Sequence, residues 1–584
     1  MVTAALALGM VRADFDWTLT CERTEYAETG RYAEALAFCD QLRLQPNTHV
    51  FPIGKSPEGR EMVVVVVSTD SNVLLPKERK KPLLFINNGI HSGEIEGKDA
   101  DLILARRLLH PDGAPDEPFW GDLLDKASFA FIPVLSVDAH ERMSPFNRAN
   151  QNGPREMGWR VTGQNINLNR DWGKLDAPEM RNLVDFVNDL APDFYVDNHT
   201  TDGGDWQYTV QYDVPRNPTM DDRVVAVSQN FVDDVMPKLD KAGFLTAPYF
   251  GGFDERHPER GLTVGTFGIR YSTGYWAARN RPSMLVETHV LKPYRDRVMA
   301  TLEANRLTLE WVGKHGQALM EAGRMADMLG QAVEEGDDIV LTARNSGKTR
   351  PFTFRGFKFA PYQSEVSGGE IPHWTKEKVD TPTVIRDQYE PGLTVKAPAG
   401  WLVPAPMTDV IERLALHKIV MVPARPGRVE LTAYRFENVA LGTETFEGRT
   451  MPRYKVVEVR RTVDVPEGSV IVPVGQPLVR LAAQLLEPQS GESFANWGFF
   501  NNFFEQKEYA EAYAMEPVAK KMLEDPAVKA AFEEALKDPQ FAANPSARLD
   551  WFFQRSPFYD SRLLIQPVYR LTGDQFSSLK VEKN

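Results

Sequence analysis

Up to about residue 330 the sequence predicts an α/β fold: a mixed, largely parallel sheet buried between helices on both faces. A mostly β accessory region and a helical C-terminal region are expected after it. Three observations lead there. Runs at 62–68 (MVVVVVS), 83–89 (LLFINNG), 129–136 (FAFIPVLS), 194–199 (FYVDNH) and 284–289 (MLVETH) are of strand length and mainly apolar without alternation, as strands covered on both faces are. Between them, near 94–109, 177–190, 220–241 and 296–325, apolar residues recur at helical spacing, so strands and helices alternate as they do around a parallel sheet. Past about 335 the segments become short, β-branched and punctuated by turns, as in DIVLTA, RPFTFRGFKFA, VELTAYRFENVA and RYKVVEVRRTVDV, which is the pattern of small antiparallel sheets.

Taken in order, residues 1–13 (MVTAALALGMVRA) are apolar and end in Val11-Arg12-Ala13, which resembles the small-residue cleavage site of a signal segment, although the basic leader is missing. Export to the periplasm or the medium is the expectation, with a cytoplasmic protein as the alternative. Residues 14–330 are expected to form the main domain, opening with an amphipathic helix from Tyr32 to Leu44 that Pro46 and Asn47 stop. Residues 335–470 read as the β accessory domain, with one helix near 407–417, and residues 475–584 as the helical C-terminal region. The aromatic cluster of Phe494, Trp497, Phe499, Phe500, Phe503 and Phe504 is expected to dock that region onto the rest, because large rings gain by burial.

Composition narrows the function classes. A chain of 584 residues carrying a formal charge of -14 and a pI near 5.4 is a poor partner for nucleic acid or anionic lipid, both of which demand cationic surface. No stretch approaches the length and apolarity of a membrane span. Cys21 and Cys39 are the only cysteines, which excludes a four-cysteine zinc site within one chain. They could form one disulfide or be small buried residues. Oligomeric state is not written in the sequence.

The chemistry collects where the apolar runs end. The run 82–97 (PLLFINNGIHSGEIEG) breaks into His91 and Glu94, three residues apart in a tight loop between strand and helix. Both side chains can there reach one point in space, which is one way to seed a zinc site. His199 ends the FYVDNH run, and Glu287 ends the MLVETH run, where a carboxylate is costly unless paired or functional. Between them, QNINLNRDW carries Asn169 and Arg170, and NRAN at 147–150 offers a second guanidinium, Arg148.

In this order the motifs resemble the zinc metallocarboxypeptidases, the carboxypeptidase A-like family: SPEGRE at 56–61, His-Ser-Gly-Glu at 91–94, Asn-Leu-Asn-Arg at 167–170, His199 on a strand end and a late Glu287. The resemblance covers about residues 50–325. It implies one Zn2+ per chain held by His91, Glu94 and His199, with Glu287 as catalytic acid and base. It also implies Asn169 and Arg170 as the holders of a peptide's terminal carboxylate, and Arg148 as the arginine that polarises the scissile carbonyl, with Arg155 and Arg160 as rivals. A substrate-capping tyrosine is implied too. Tyr271 and Tyr275 are its candidates, Tyr271 preferred. The chain departs from the family at Asn167, where many members have Asp, and in the stretch 154–164, which lengthens a loop and could reshape the pocket or be inert. The other histidines read as structural, with His289 the first to check because it points from its strand to the same side as Glu287.

The function this implies is a zinc-dependent metallocarboxypeptidase that hydrolyses C-terminal peptide bonds of peptides or proteins. An amidase acting on cell-wall peptides is the alternative within the enzymes. A zinc-containing peptide-binding module without turnover is the alternative outside them.

Overall fold

The structure is a computed structural model describing residues 15–251 and 253–581; the apolar segment 1–13 lies outside the described residues. Its centre is an eight-stranded sheet in the order β1-β2-β4-β3-β5-β9-β6-β7. The strands are β1 (Thr48–Lys55), β2 (Glu61–Val67), β3 (Leu83–Asn87), β4 (Ser128–Ile132), β5 (Phe194–Thr201), β6 (Val210–Asp213), β7 (Thr246–Pro248) and β9 (Ser283–His289), with β8 (Leu262–Thr263) pairing elsewhere. The middle pairs β4/β3, β3/β5 and β5/β9 are parallel, and antiparallel pairs flank them. Every residue of β3, β4, β5 and β9 is buried. The apolar runs were continuous for that reason: helices shield both faces, and each Val or Ile so buried contributes about 1.5 to 3 kcal/mol relative to exposure.

The helices that cover the sheet start and stop on local signals. Glu96–Leu109 ends with His110 in the left-handed region, Pro178–Leu190 opens on a proline at its first turn, and the Asp221 side chain caps Asp222–Lys241 by accepting the N–H of Arg223. Tyr294–Gln331 is the longest at 38 residues and packs along the sheet. Cys21 and Cys39 are both buried and unpaired, which resolves the cysteine question in favour of small core residues.

Beyond residue 335 lies a six-stranded sheet with the long hairpin Gly427–Leu441 and Pro452–Val465 at its edge. Its fourth strand is Ile565–Leu571, inserted between Gly400–Val403 and Gly427–Leu441. The C-terminal region is therefore not only helical: after the helices between Ala512 and Phe553 it returns one strand to the accessory sheet. Of the aromatic cluster, Phe494, Trp497 and Phe500 are buried, and Phe499, Phe503 and Phe504 pack partly buried against the same core.

Candidate metal centre and active site

Three neighbouring parallel strands, β3, β5 and β9, bring the chemistry together at their carboxyl ends, where ligands bind in open α/β sheets. The loop after β3 carries His91 and Glu94, β5 carries His199, and β9 carries Glu287 directly across the ladder from His199. Close packing of this loop and the start of the helix after it is helped by two positions that lack a side chain. A Cβ at Gly93 would stand 2.3 Å from Cδ of Arg148, and one at Gly97 would stand 2.0 Å from Oδ1 of Asn88.

His91, Glu94 and His199 converge and are 3%, 3% and 4% exposed. Nδ1 of His91 lies 3.2 Å and Nδ1 of His199 2.9 Å from the Glu94 carboxylate, and one donor atom from each of the three falls within 4.8 Å of the others. The outward ring nitrogens are fixed. Nε2 of His91 donates to Oδ1 of Asn167 at 2.9 Å, and Nε2 of His199 faces Oδ2 of Asp197 at 3.1 Å. With Nε2 as the donor on His91, its Nδ1 lone pair points at the Glu94 carboxylate, as outer oxygens orient metal-binding histidines; Nε2 of His199 is also faced by Nδ2 of Asn169 at 3.4 Å. Two imidazole nitrogens and one carboxylate fit Zn2+ with a fourth position left open.

The charges are unevenly distributed. Burial lowers the pKa of His91, against the pull of Glu94. Burial acts in the same direction on His199, but Asp197, Glu94 and Glu287 outweigh it and raise that histidine well above its ordinary value. Glu94 is held well below the carboxylate range despite its burial, by Arg148 and the two imidazoles. Glu287 goes the other way: burial pushes it up to about 8, with Glu94 and Asp197 adding to the effect and His199 and Arg148 opposing it. Its Oε2 has no hydrogen-bond partner.

A cleft of about 730 Å³ opens onto these four residues and is also lined by Arg148, Asn169, Arg170 and Tyr271, so the preferred candidate for each role lies there. Arg148 reaches Oε1 of Glu94 at 2.8 Å, and its backbone sits at φ +51, a region that non-glycine residues rarely occupy and that is enriched at functional sites. Gln151 holds the guanidinium by accepting its Nε–H at 2.6 Å, while donating to the carbonyl of Gly93 at 2.9 Å. Of the two rivals, Arg155 pairs with Glu28 at the surface and does not line the cleft, whereas Arg160 lies 3.3 Å from Glu94. The lengthened loop 154–164 contributes Trp159 and Arg160 to the cleft wall. Arg170 lies 4.4 Å over the ring of Tyr271.

Two open alternatives of the sequence reading resolve as structural residues, and two residues at the site were absent from it. His289 is spent on structure, its Nε2 donating to the carbonyl of Gly204 and its Nδ1 accepting from the N–H of Leu291. Tyr275 is fully buried, hydrogen-bonded to His417 and Asn188 away from the cleft. Tyr249 was not read as a site residue. It lines the cleft, and the charge of Glu287 is the largest cause raising its phenol pKa. Asp197 was also missed, although its place two residues before His199 on one strand face was a readable signal.

Comparison with known proteins agrees with this geometry. Residues 35–239 match the family model described as zinc carboxypeptidase, and the chain is 23% identical over 465 residues to carboxypeptidase 2 of Trichophyton rubrum, covering 76% of this chain and 79% of that protein. Over residues 35–239 the chain resembles the zinc carboxypeptidases. Carboxypeptidase 2 of Trichophyton equinum shows the same identity and coverage. Among solved structures, the chain is similar to carboxypeptidase A from Helicoverpa armigera (17% identity, 51% of this chain and 75% of that one, TM-score 0.36). It is also similar to a metallo-carboxypeptidase from Burkholderia cenocepacia (19%, 49% and 69%, TM-score 0.35). These likenesses support a zinc metallocarboxypeptidase, a hydrolase. No helix among its described residues is long and apolar enough to cross a membrane.

Proposed function

We propose that the protein releases C-terminal residues from peptides, using one Zn2+ held by His91, Glu94 and His199 and Glu287 as the proton carrier. The observation that carries this is Glu287: a buried carboxyl group whose Oε2 has no partner, across the ladder from His199 and open to the cleft. A buried acid without a structural partner is costly, and at an active site it is a general acid or base. The metal, when bound, supplies a Lewis acid that lowers the pKa of water and polarises a carbonyl. Glu287 takes the proton of the attacking water and passes it to the departing amine nitrogen. Arg148 donates to the carbonyl oxygen as negative charge develops on it. Arg170, beside Asn169, accepts the terminal carboxylate on its guanidinium fork, which favours cleavage of the last residue over cleavage within the chain. Tyr249 and Tyr271 line the same cleft.

The reading divides the chain into a catalytic domain over 14–330, an accessory domain over 335–470 and a C-terminal region over 475–584. It places the protein in the periplasm or outside the cell, on the apolar run at 1–13, and cell fractionation tests that placement. The test of function is residue release from a mixed peptide library, with and without a chelator, with matching C-terminal amides as controls. Release of single C-terminal residues that stops on chelation and returns with zinc supports the reading. Peptide binding without release would favour a binding module, and cleavage confined to cell-wall peptides would favour the amidase.

A further inference from the structure

The hairpin Gly427–Leu441 and Pro452–Val465 belongs to the accessory sheet, yet the turn at its tip reaches the metal centre. Oε2 of Glu447 accepts the backbone N–H of Asn167 at 3.1 Å, across 280 positions of sequence. Oδ1 of Asn167 in turn accepts from Nε2 of His91 at 2.9 Å and from the N–H of Asn169 at 3.1 Å. The same carboxylate acts through space on Arg170, whose pKa burial lowers and whose charged form Glu447 favours.

The turn is firmly seated. Arg449 grips Asp176 with two hydrogen bonds of 2.7 and 2.6 Å, and its guanidinium lies 3.8 Å over the ring of Phe499. Phe446 stacks on Trp497 at 5.9 Å. Glu447 itself sits at φ +50, a conformation that costs a non-glycine residue energy and persists where the surroundings impose it.

The outer nitrogen of His199 has a carboxylate, Asp197, 3.1 Å away, whereas that of His91 has the neutral amide of Asn167. Outer partners fix the tautomer and direction of a ligating imidazole, and their loss costs about 10- to 100-fold in metal affinity or activity. On the His91 side the negative charge stands one hydrogen bond further out, and it comes from the C-terminal half of the chain. We propose that Glu447 is a positioning residue for the metal centre: it clamps the loop of Asn167, Asn169 and Arg170, so the accessory region completes the active site. This rests on the proposed zinc site.

The test compares the full chain with Glu447→Ala, Glu447→Gln and Arg449→Ala, measuring zinc affinity by chelator competition, kcat and KM separately, and Tm. Glu447→Ala is expected to weaken zinc binding about tenfold and to raise KM for peptides with a free C-terminus, with Tm unchanged. Glu447→Gln, which keeps an oxygen for the Asn167 N–H, should recover most of the zinc affinity. Arg449→Ala, which unseats the turn, should reproduce the Glu447→Ala defect. Wild-type zinc affinity and KM in Glu447→Ala would overturn the proposal while leaving the zinc site intact. A wild-type protein that binds no zinc would instead remove the proposed function beneath it.

Discussion

Glu287 stands directly opposite His199 in the register of the parallel pair β5 and β9, and every residue of both strands is buried. A rigid pair of central strands thus fixes the separation between one candidate ligand and the candidate base. A site built on strands holds its geometry more tightly than one built on loops.

Replacing Glu287 by Gln keeps shape and burial but removes the proton carrier. Hydrolysis is expected to fall by at least about a hundredfold, mainly in kcat, while zinc content stays at the wild-type level. Steady-state kinetics beside metal analysis checks this. Full activity in the variant would exclude Glu287 as base.

Arg170 is half-buried, with its guanidinium against the ring of Tyr271. Arg170→Ala is expected to raise KM at least about tenfold for peptides with a free terminal carboxylate, the loss of roughly one charge-assisted hydrogen bond of about 1.5 to 3 kcal/mol. Wild type and variant should differ little on C-terminal amides. Equal losses on both substrate sets would place Arg170 outside carboxylate recognition.

His417 tests the join between the catalytic and accessory regions. It is fully buried, its Nε2 donating to the carbonyl of Gly173 and its Nδ1 accepting from the Tyr275 hydroxyl, and burial lowers its pKa to about 3. In the unfolded chain the ring takes up its proton near pH 6.5, and in the folded protein only near 3. Its contribution to stability is therefore complete above pH 6.5 and is lost as pH falls toward 3, at about 1.4 kcal/mol per pKa unit. Buried acids such as Asp101 and Glu179, each raised to about 7 chiefly by burial, tilt stability the opposite way, so the diagnostic quantity is a difference between two proteins. His417→Gln should be less stable than wild type at pH 8, and the gap should narrow by more than about 1.4 kcal/mol at pH 4.5. Denaturant unfolding at the two pH values measures it, and a constant gap would show that His417 does not titrate in this way.

The sequence revealed the parts of the molecule whose signals are local. Continuous apolar runs located β2, β3, β4, β5 and β9, and the strand ends displayed His91, Glu94, His199 and Glu287. The strand β1 was not legible, because it lies at the sheet edge with several residues partly exposed; β6 and β7 are only 4 and 3 residues long. Ile565–Leu571 escaped because it holds Pro567 and follows a run of helices. Tyr249 and Glu447 carry no motif of their own. They join the site only through folding, which in the case of Glu447 brings residues 280 positions apart into contact, and no spacing rule encodes that.

The most direct measurement is anomalous diffraction at the zinc edge on crystals of the full chain. One peak per chain is expected, about 2.0 to 2.2 Å from Nδ1 of His91, Nδ1 of His199 and the Glu94 carboxylate, with Glu287 nearby but unligated. A peak elsewhere, or zinc-loaded protein with no peak between those three side chains, would contradict the assignment.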